Sequence, residues 1–140
     1  ETALILIVLN TMAVGVLDFG LAYAHNMQLA NSVRAGMQYA LVRKPVNEDY
    51  SAIINAVNTA APDAVDGSNR MVTAVLTCEC PDGSAIDCVG ENGEDLTCDG
   101  GDLRAAYLDL TISEDYALMF PYPGLPSPIS LSQTVKVRLN

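Results

Sequence analysis

The stretch that decides the fold is "ETALILIVLNTMAVGVLDFGLAYAHNMQLANSVRAGMQYALV", residues 1–42. Between residues 2 and 24 the only charged side chain is Asp18. At about 1.5 Å of rise per residue, this segment forms a helix of roughly 34 Å, which is long enough to cross the hydrocarbon core of a bilayer. The sequence therefore begins with a helix of membrane-spanning length that carries an acid at its tip, Glu1.

The helix is predicted to continue beyond Asp18 and to become amphipathic. Apolar side chains recur there every three to four residues, at Phe19, Tyr23, Met27, Ala30, Val33, Met37 and Leu41. Pro45 should end the helix after Arg43, at a total length of roughly 60 Å. Glycines at 15, 20 and 36 cost helix stability but allow another helix to approach closely. Such a rod has an apolar half for packing in water-free surroundings and an amphipathic half for holding a globular body.

Three interpretations of the apolar segment compete. A secretory signal peptide is favoured by "AYA" at 22–24, but the basic region that precedes such segments is missing. A plain membrane anchor would place the basic flank, which contains Arg34, Arg43 and Lys44, on the cytoplasmic side. That orientation conflicts with the cysteine-rich body, unless a basic leader once preceded Glu1 and was removed. The third interpretation is a helix that first lies in a membrane and later packs against its own copies.

Cysteine content and charge restrict the class of protein. The four cysteines fall within 21 residues, at Cys78, Cys80, Cys88 and Cys98. An even number in a loop-rich segment predicts two disulfides and a compartment outside the cytoplasm. A bridge between Cys78 and Cys80 would close a very tight ring, so each is expected to pair with Cys88 or Cys98, in either combination. The net charge of −10 and the scattered basic residues argue against a nucleic-acid partner.

The remainder of the chain predicts a small α+β body. Residues 46–61, "VNEDYSAIINAVNTAA", have helical spacing behind the capping-type residues Asn47 and Asp49. Three segments alternate as strands do, namely "RMVTAVLTC", "RAAYLDLTIS" and "SLSQTVKVRLN", the last with Leu131, Val135, Val137 and Leu139 on one face. We therefore predict two domains, a helical one at 1–44 and an extracytoplasmic head at 45–140. The head should be stapled by disulfides and contain a short helix and a three- or four-stranded antiparallel sheet.

Two loops of the head are distinctive, and neither indicates catalysis. Residues 120–128, "FPYPGLPSP", hold four prolines and should form an extended surface connection, either a contact between neighbouring heads or a simple connector. The cysteine loop, 78–102, holds eight acids and no base. It lacks the spacing of an EF-hand, so a solvated loop is favoured over a calcium site, and the C-x-C spacing departs from that of zinc knuckles. We find no nucleophile motif, phosphate loop or metalloprotease motif, so neither an enzyme nor a cofactor is expected.

The N-terminal 42 residues resemble the start of TadE-like pilins of the tight-adherence (Flp/Tad) branch of the type IV filament superfamily. The resemblance is carried by a glutamate before an apolar run, an acid followed by Phe-Gly, and a helix end of the type Ala-Gly-x-x-Tyr-Ala. The matching residues are Glu1, Asp18, Phe19, Gly20, Ala35, Gly36, Tyr39 and Ala40. This chain departs from the family in having Thr2 where phenylalanine is usual. It also departs in having Glu1 first, where the family usually has its glutamate fifth after cleavage by a prepilin peptidase.

The resemblance implies roles for the acids of the helix. An ionised carboxylate among apolar helices needs a cation, and the family implies the N-terminal amine of a neighbouring subunit as the partner of Glu1. The alternative is an acid that stays hydrated at one membrane face. Asp18 could likewise meet Arg34 or Arg43 of a neighbour or remain at the interface. The single histidine, His25, is expected to be a packed or solvated residue.

The resemblance thus implies a structural subunit of an extracellular Tad-type pilus on a bacterial surface, which polymerises through its N-terminal helix and is used for adhesion or surface contact. Its partners would be copies of itself, the prepilin peptidase and the assembly machinery, with anchoring in the inner membrane before assembly. The assembly contacts are expected at Glu1, Asp18, Phe19, Gly20, Arg34 and Gly36. The alternatives are a minor membrane-retained or tip pilin of the same machine, and a single-pass binding protein that never polymerises.

Overall fold

The computed structural model describes residues 2–43, 49–64, 68–90, 96–98, 101–120, 122 and 124–139. The elements follow in the order α1 (Thr2–Val42), α2 (Ser51–Ala60), β1 (Met71–Glu79), β2 (Ala85–Ile86), β3 (Ala105–Tyr116) and β4 (Ile129–Arg138). The predicted α+β class, with a long N-terminal helix, a short helix and an antiparallel sheet, is confirmed. The division of the chain into domains at residue 44 stays a prediction.

Helix α1 is continuous over 41 residues, because its sequence contains no proline. Its last turn closes where the N–H of Arg43 donates to the carbonyl of Tyr39 at 2.8 Å. The predicted end at Arg43 is therefore confirmed to within a residue. Neither Gly15 nor Gly20 interrupts the helix, since the surrounding good helix formers outweigh the cost of a single glycine.

The side of α1 that packs on the head differs from the predicted one. The buried stripe consists of small and medium side chains, Ala22, Leu29, Val33, Met37 and Ala40. Of the predicted apolar face, Val33 and Met37 are buried, whereas Phe19, Tyr23, Met27 and Leu41 are exposed. The exposed side of this half carries large apolar side chains among polar ones, and the head takes the side whose small residues allow close approach.

The sheet is antiparallel, with the strand order β2-β1-β3-β4. Strand β3 lies at its centre, pairing Leu108 with Leu76 of β1 and with Val137 of β4. Alternate side chains of β3 are fully buried, beginning with Leu108, Leu110 and Ile112, as expected for a sheet covered on one face. The predicted face of the last strand is confirmed, because its odd-numbered side chains from 129 to 137 are the less exposed ones and Leu139 is buried.

The core lies where α1 and α2 cover the sheet. Ile53 and Val57 of α2 pack in one cluster with the buried residues of α1 from Leu29 to Ala40 and with inner side chains of β3. Asp49 precedes α2, and its Oδ1 accepts a hydrogen bond from the N–H of Ser51 at 3.0 Å. Hydrogen bonds from Ser51 hold the pKa of Asp49 below its usual value. The other predicted capping residue, Asn47, lies outside the described residues.

Candidate functional site

The N-terminal half of α1 projects its side chains into open space. The apolar side chains are between 57% and 73% exposed, at Ile5, Leu6, Ile7, Val8, Leu9, Met12, Val16 and Leu17. The segment Ile5–Val42 is long and apolar enough for a membrane span. Because single soluble chains rarely expose an apolar surface of this extent, the half-helix is suited to burial in lipid or against other apolar helices.

Two polar side chains in this half form hydrogen bonds to backbone carbonyls of the same helix. The Asn10 side-chain amide donates to the carbonyl of Leu6 at 3.0 Å, and the Thr11 hydroxyl donates to the carbonyl of Ile7 at 2.7 Å. The bonds to the preceding turn lower the cost of placing them in lipid, since a polar group without a partner is the expensive case there.

Asp18 marks the point where the helix meets the head. Its side chain is buried, at 1% exposure. Its Oδ1 accepts a hydrogen bond from the N–H of Met119 at 3.1 Å, and its Oδ2 accepts one from the N–H of Phe120 at 3.4 Å. The aspartate therefore joins the helix to the loop that follows β3. The predicted pairing with Arg34 or Arg43 of a neighbour remains a prediction, and both arginines are exposed on the far end of α1.

Aromatic side chains surround the Asp18 junction. The rings of Phe19 and Tyr122 lie 5.5 Å apart. Phe120 and Tyr122 also form one wall of an apolar groove of about 500 Å³, whose other wall is α1 between Ile7 and Val14. The loop thus reaches alongside the exposed half of the helix.

A buried charge cluster ties the helix to the sheet just above this junction. Glu114 is 1% exposed and lies on the inner face of β3. Its Oε2 accepts a hydrogen bond from Nε of Arg70 at 2.6 Å, and its Oε1 lies 3.2 Å from Nε2 of His25. Nη2 of Arg70 donates to the carbonyl of Pro62 at 2.7 Å. His25 is accordingly a packed residue, as expected.

The two glycines predicted to take part in assembly have different surroundings. At Gly20 a Cβ would meet nothing within 4 Å, so the helix surface is open there. At Gly36 a Cβ would collide with side chains of Val57 and Leu110. Gly36 therefore allows α1 to approach α2 and β3 within one subunit. Its predicted contact with a neighbour stays a prediction, as does that of Gly20.

The cysteines form two bridges, Cys78–Cys88 and Cys80–Cys98. This is one of the two pairings that the sequence left open. In the segment between Cys80 and Cys88, Asp82 accepts hydrogen bonds from the hydroxyl and the N–H of Ser84, which lower the pKa of Asp82. In the part of the chain that the structure describes, no three acidic, cysteine or histidine side chains converge to hold a metal ion. Four of the loop's acids, Glu91, Glu94, Asp95 and Asp99, lie outside the described residues, as does Glu1.

Sequence comparison identifies the N-terminal part of the chain. Residues 1–38 match the family described as "TadE-like protein", which confirms the resemblance inferred from the helix. The matched region contains the exposed half of α1 and the Asp18 junction but none of the head's sheet. No curated protein and no solved structure matches the chain significantly.

Proposed function

We propose, on the premise that the first 38 residues are TadE-like, that this protein is a structural subunit of a Tad-type pilus. The family match by itself supports a protein associated with the Tad pilus. The finer proposal is that copies of this chain polymerise through α1 into an extracellular filament used for adhesion or surface contact. In it the helices form the axis, the heads form the coat, and no catalytic step is assigned to the chain.

The observation that carries this proposal is the exposed apolar half of α1. Its apolar side chains from Ile5 to Leu17 are exposed, apart from the half-buried Val14 in the groove beside the loop. The head therefore leaves most of this half uncovered. Lipid and a bundle of apolar helices are both free of water, and transfer between them therefore costs little. One surface can thus serve as a membrane anchor first and as a filament core later.

The direction of assembly would be set by Glu1. A carboxylate at the tip of an apolar helix is stable in a dry bundle only when a cation pairs with it. We propose the N-terminal amine of the neighbouring subunit, which the prepilin peptidase would expose by cleavage. Pairing of one subunit's acid with the next subunit's amine fixes the axial step between them. The two disulfides would protect the coat outside the cell.

Replacement of Glu1 distinguishes a subunit that polymerises from a protein that is only anchored in the membrane. Glu1→Ala and Glu1→Gln remove the charge and should abolish filaments in the sheared fraction, while the protein still accumulates in the membrane because the apolar helix is unchanged. Asp63→Ala is the matched control, since Asp63 is an exposed acid of the head. Electron microscopy and immunoblotting of sheared and membrane fractions provide the measurement.

Each outcome of this experiment has a defined meaning. Loss of filaments with normal membrane levels supports the polymer. Filaments that persist in both Glu1 variants would contradict the pairing. If the unchanged protein yields no filament of its own but is needed for filaments of another subunit, it is a minor or tip component. If it neither forms nor affects filaments, it is a single-pass protein that does not polymerise.

A further inference from the structure

The loop pinned by Asp18 carries an exposed apolar surface of its own. We name it the junction surface and define it by Met119, Phe120, Tyr122 and Leu125. Met119 is 70% exposed, Phe120 50% and Leu125 47%. We propose that the junction surface inserts into the lipid bilayer beside α1 for as long as the subunit is held in the membrane. This inference rests on the proposed anchoring of α1.

The first argument is the position of the loop along the axis of α1. Phe120 and Tyr122 share a groove with α1 side chains from Ile7 to Val14. Ile7 lies eleven residues before Asp18, which is roughly 16 Å along a helix axis. Any bilayer that surrounds the exposed half of α1 must therefore also contain the side chains at the same level across the groove. The junction surface continues the lipid-facing surface of the helix.

Charge is the second argument. The chain carries a net charge of −10, yet residues 116–135 contain no charged side chain. An acidic protein is repelled by the anionic lipids of a membrane surface, so an uncharged stretch is the part of the head that can approach closely. Tyrosine is also a residue type that membrane interfaces favour next to a spanning helix, and Tyr122 lies there, half-buried.

Backbone hydrogen bonding is the third argument, because irregular backbone is costly in lipid when its N–H groups lack partners. Residues 120–128 include four prolines, which have no N–H. The N–H groups of Met119 and Phe120 donate to Asp18, and that of Leu125 donates to the carbonyl of Tyr122 at 3.2 Å. The proline-rich composition and the buried aspartate together reduce the number of donors that lipid would leave unsatisfied.

The chain contains no tryptophan, so a single introduced tryptophan reports on its own surroundings. The full chain would be reconstituted into vesicles of phosphatidylethanolamine and phosphatidylglycerol, with and without bromine on the acyl chains. Three variants are compared: Phe120→Trp in the junction surface, Leu9→Trp in the exposed half of α1, and Leu103→Trp in the head, where the native leucine is 89% exposed. Quenching by brominated lipid reports insertion, and quenching by iodide reports contact with water.

We expect Trp fluorescence of the Phe120 variant to be quenched by brominated lipid, as in the Leu9 variant. Its iodide quenching should be several-fold weaker than in the Leu103 variant, at every protein-to-lipid ratio. Suppose instead that iodide quenches the Phe120 variant as strongly as the Leu103 variant, while brominated lipid quenches the Leu9 variant. The inference about the junction surface is then wrong, and the anchoring of α1 in the membrane remains supported. Protection that appears only at high protein density would assign the surface to a second copy and overturn the inference. A Leu9 variant that brominated lipid does not quench would refute the anchoring itself.

Discussion

Glu114 is buried beneath α1 on the inner face of β3, and its charge is balanced by Arg70. A carboxylate removed from water is tolerated only when such a partner is held in good geometry. The Pro62 carbonyl accepts a hydrogen bond from Arg70, which fixes the guanidinium in place. His25 completes the cluster from the helix side, its ring lying 5.3 Å from that of Tyr116. The cluster thus locks the amphipathic half of α1 to the sheet.

Replacing Arg70 by methionine should destabilise the head by about 3–5 kcal/mol, because a buried carboxylate loses its cation. Lys136→Met is the control. Its pairing with Asp109, at 3.8 Å between Nζ and Oδ2, is partly exposed to solvent and should contribute no more than about 1 kcal/mol. Unfolding by urea in detergent micelles, followed by tyrosine fluorescence, measures both values.

A second substitution tests the explanation itself. In the Arg70→Met background, Glu114→Gln should recover part of the lost stability, because the group left behind is then neutral. If the double variant is less stable than the Arg70→Met variant, the buried charge is not what destabilises it.

The sequence could have identified Glu114 but could not have identified its partner. Leu108, Leu110 and Ile112 alternate along β3, and Glu114 is the next residue on the same face, so its burial follows from the period of two. Arg70 lies 44 residues earlier in the chain, and no local pattern links the two. Asp18 presented the same difficulty, because its hydrogen-bond donors lie more than 100 residues away.

At the scale of elements, α1 is one helix with two environments. Its length and its end followed from the absence of proline before residue 45 and from the apolar composition. The face that packs on the head did not follow, because large apolar side chains occur on both the covered and the uncovered side of residues 19–41. The choice is made by the shape of the partner, since Ala22, Gly36 and Ala40 allow a distance between elements that larger side chains prevent.

Gly36→Ala should therefore destabilise the head by about 1–3 kcal/mol, as expected when a methyl group is forced into a filled core. The new Cβ would collide with Val57 and Leu110. Gly20→Ala on the same helix is the matched control. Its surroundings are open, so alanine's better helix propensity should leave stability unchanged or raise it by up to about 1 kcal/mol.

Urea unfolding of the two alanine variants beside the unchanged chain provides the comparison. Equal stability of the Gly36 and Gly20 variants would show that α1 and α2 are not as close as described. If both variants fold normally but only Gly20→Ala reduces filament formation, the predicted contact of Gly20 with a neighbour gains support.

At the scale of the whole molecule, a folded head holds one half of a long helix and leaves the other half uncovered. The core, the charge cluster and Gly36 all lie on the head side of Asp18. The uncovered half lies within the TadE-like match at residues 1–38. It is the part of the helix that the proposed function uses. Composition and spacing were sufficient to predict that the helix has an apolar half and a half that holds the head, because apolar content and helix length are properties of the local sequence. The loop beside the helix was predicted only as a surface connection, since its position depends on contacts between distant residues.

The most direct test of the central claim is electron microscopy of the fraction sheared from producing cells, combined with mass spectrometry of the intact chain in that fraction. We expect filaments composed mainly of this protein, and an intact mass that shows two disulfides and identifies the N-terminal residue of the chain. Recovery of the protein from the membrane fraction alone, with no filament that contains it, would contradict the claim that the exposed half of α1 becomes the core of a polymer.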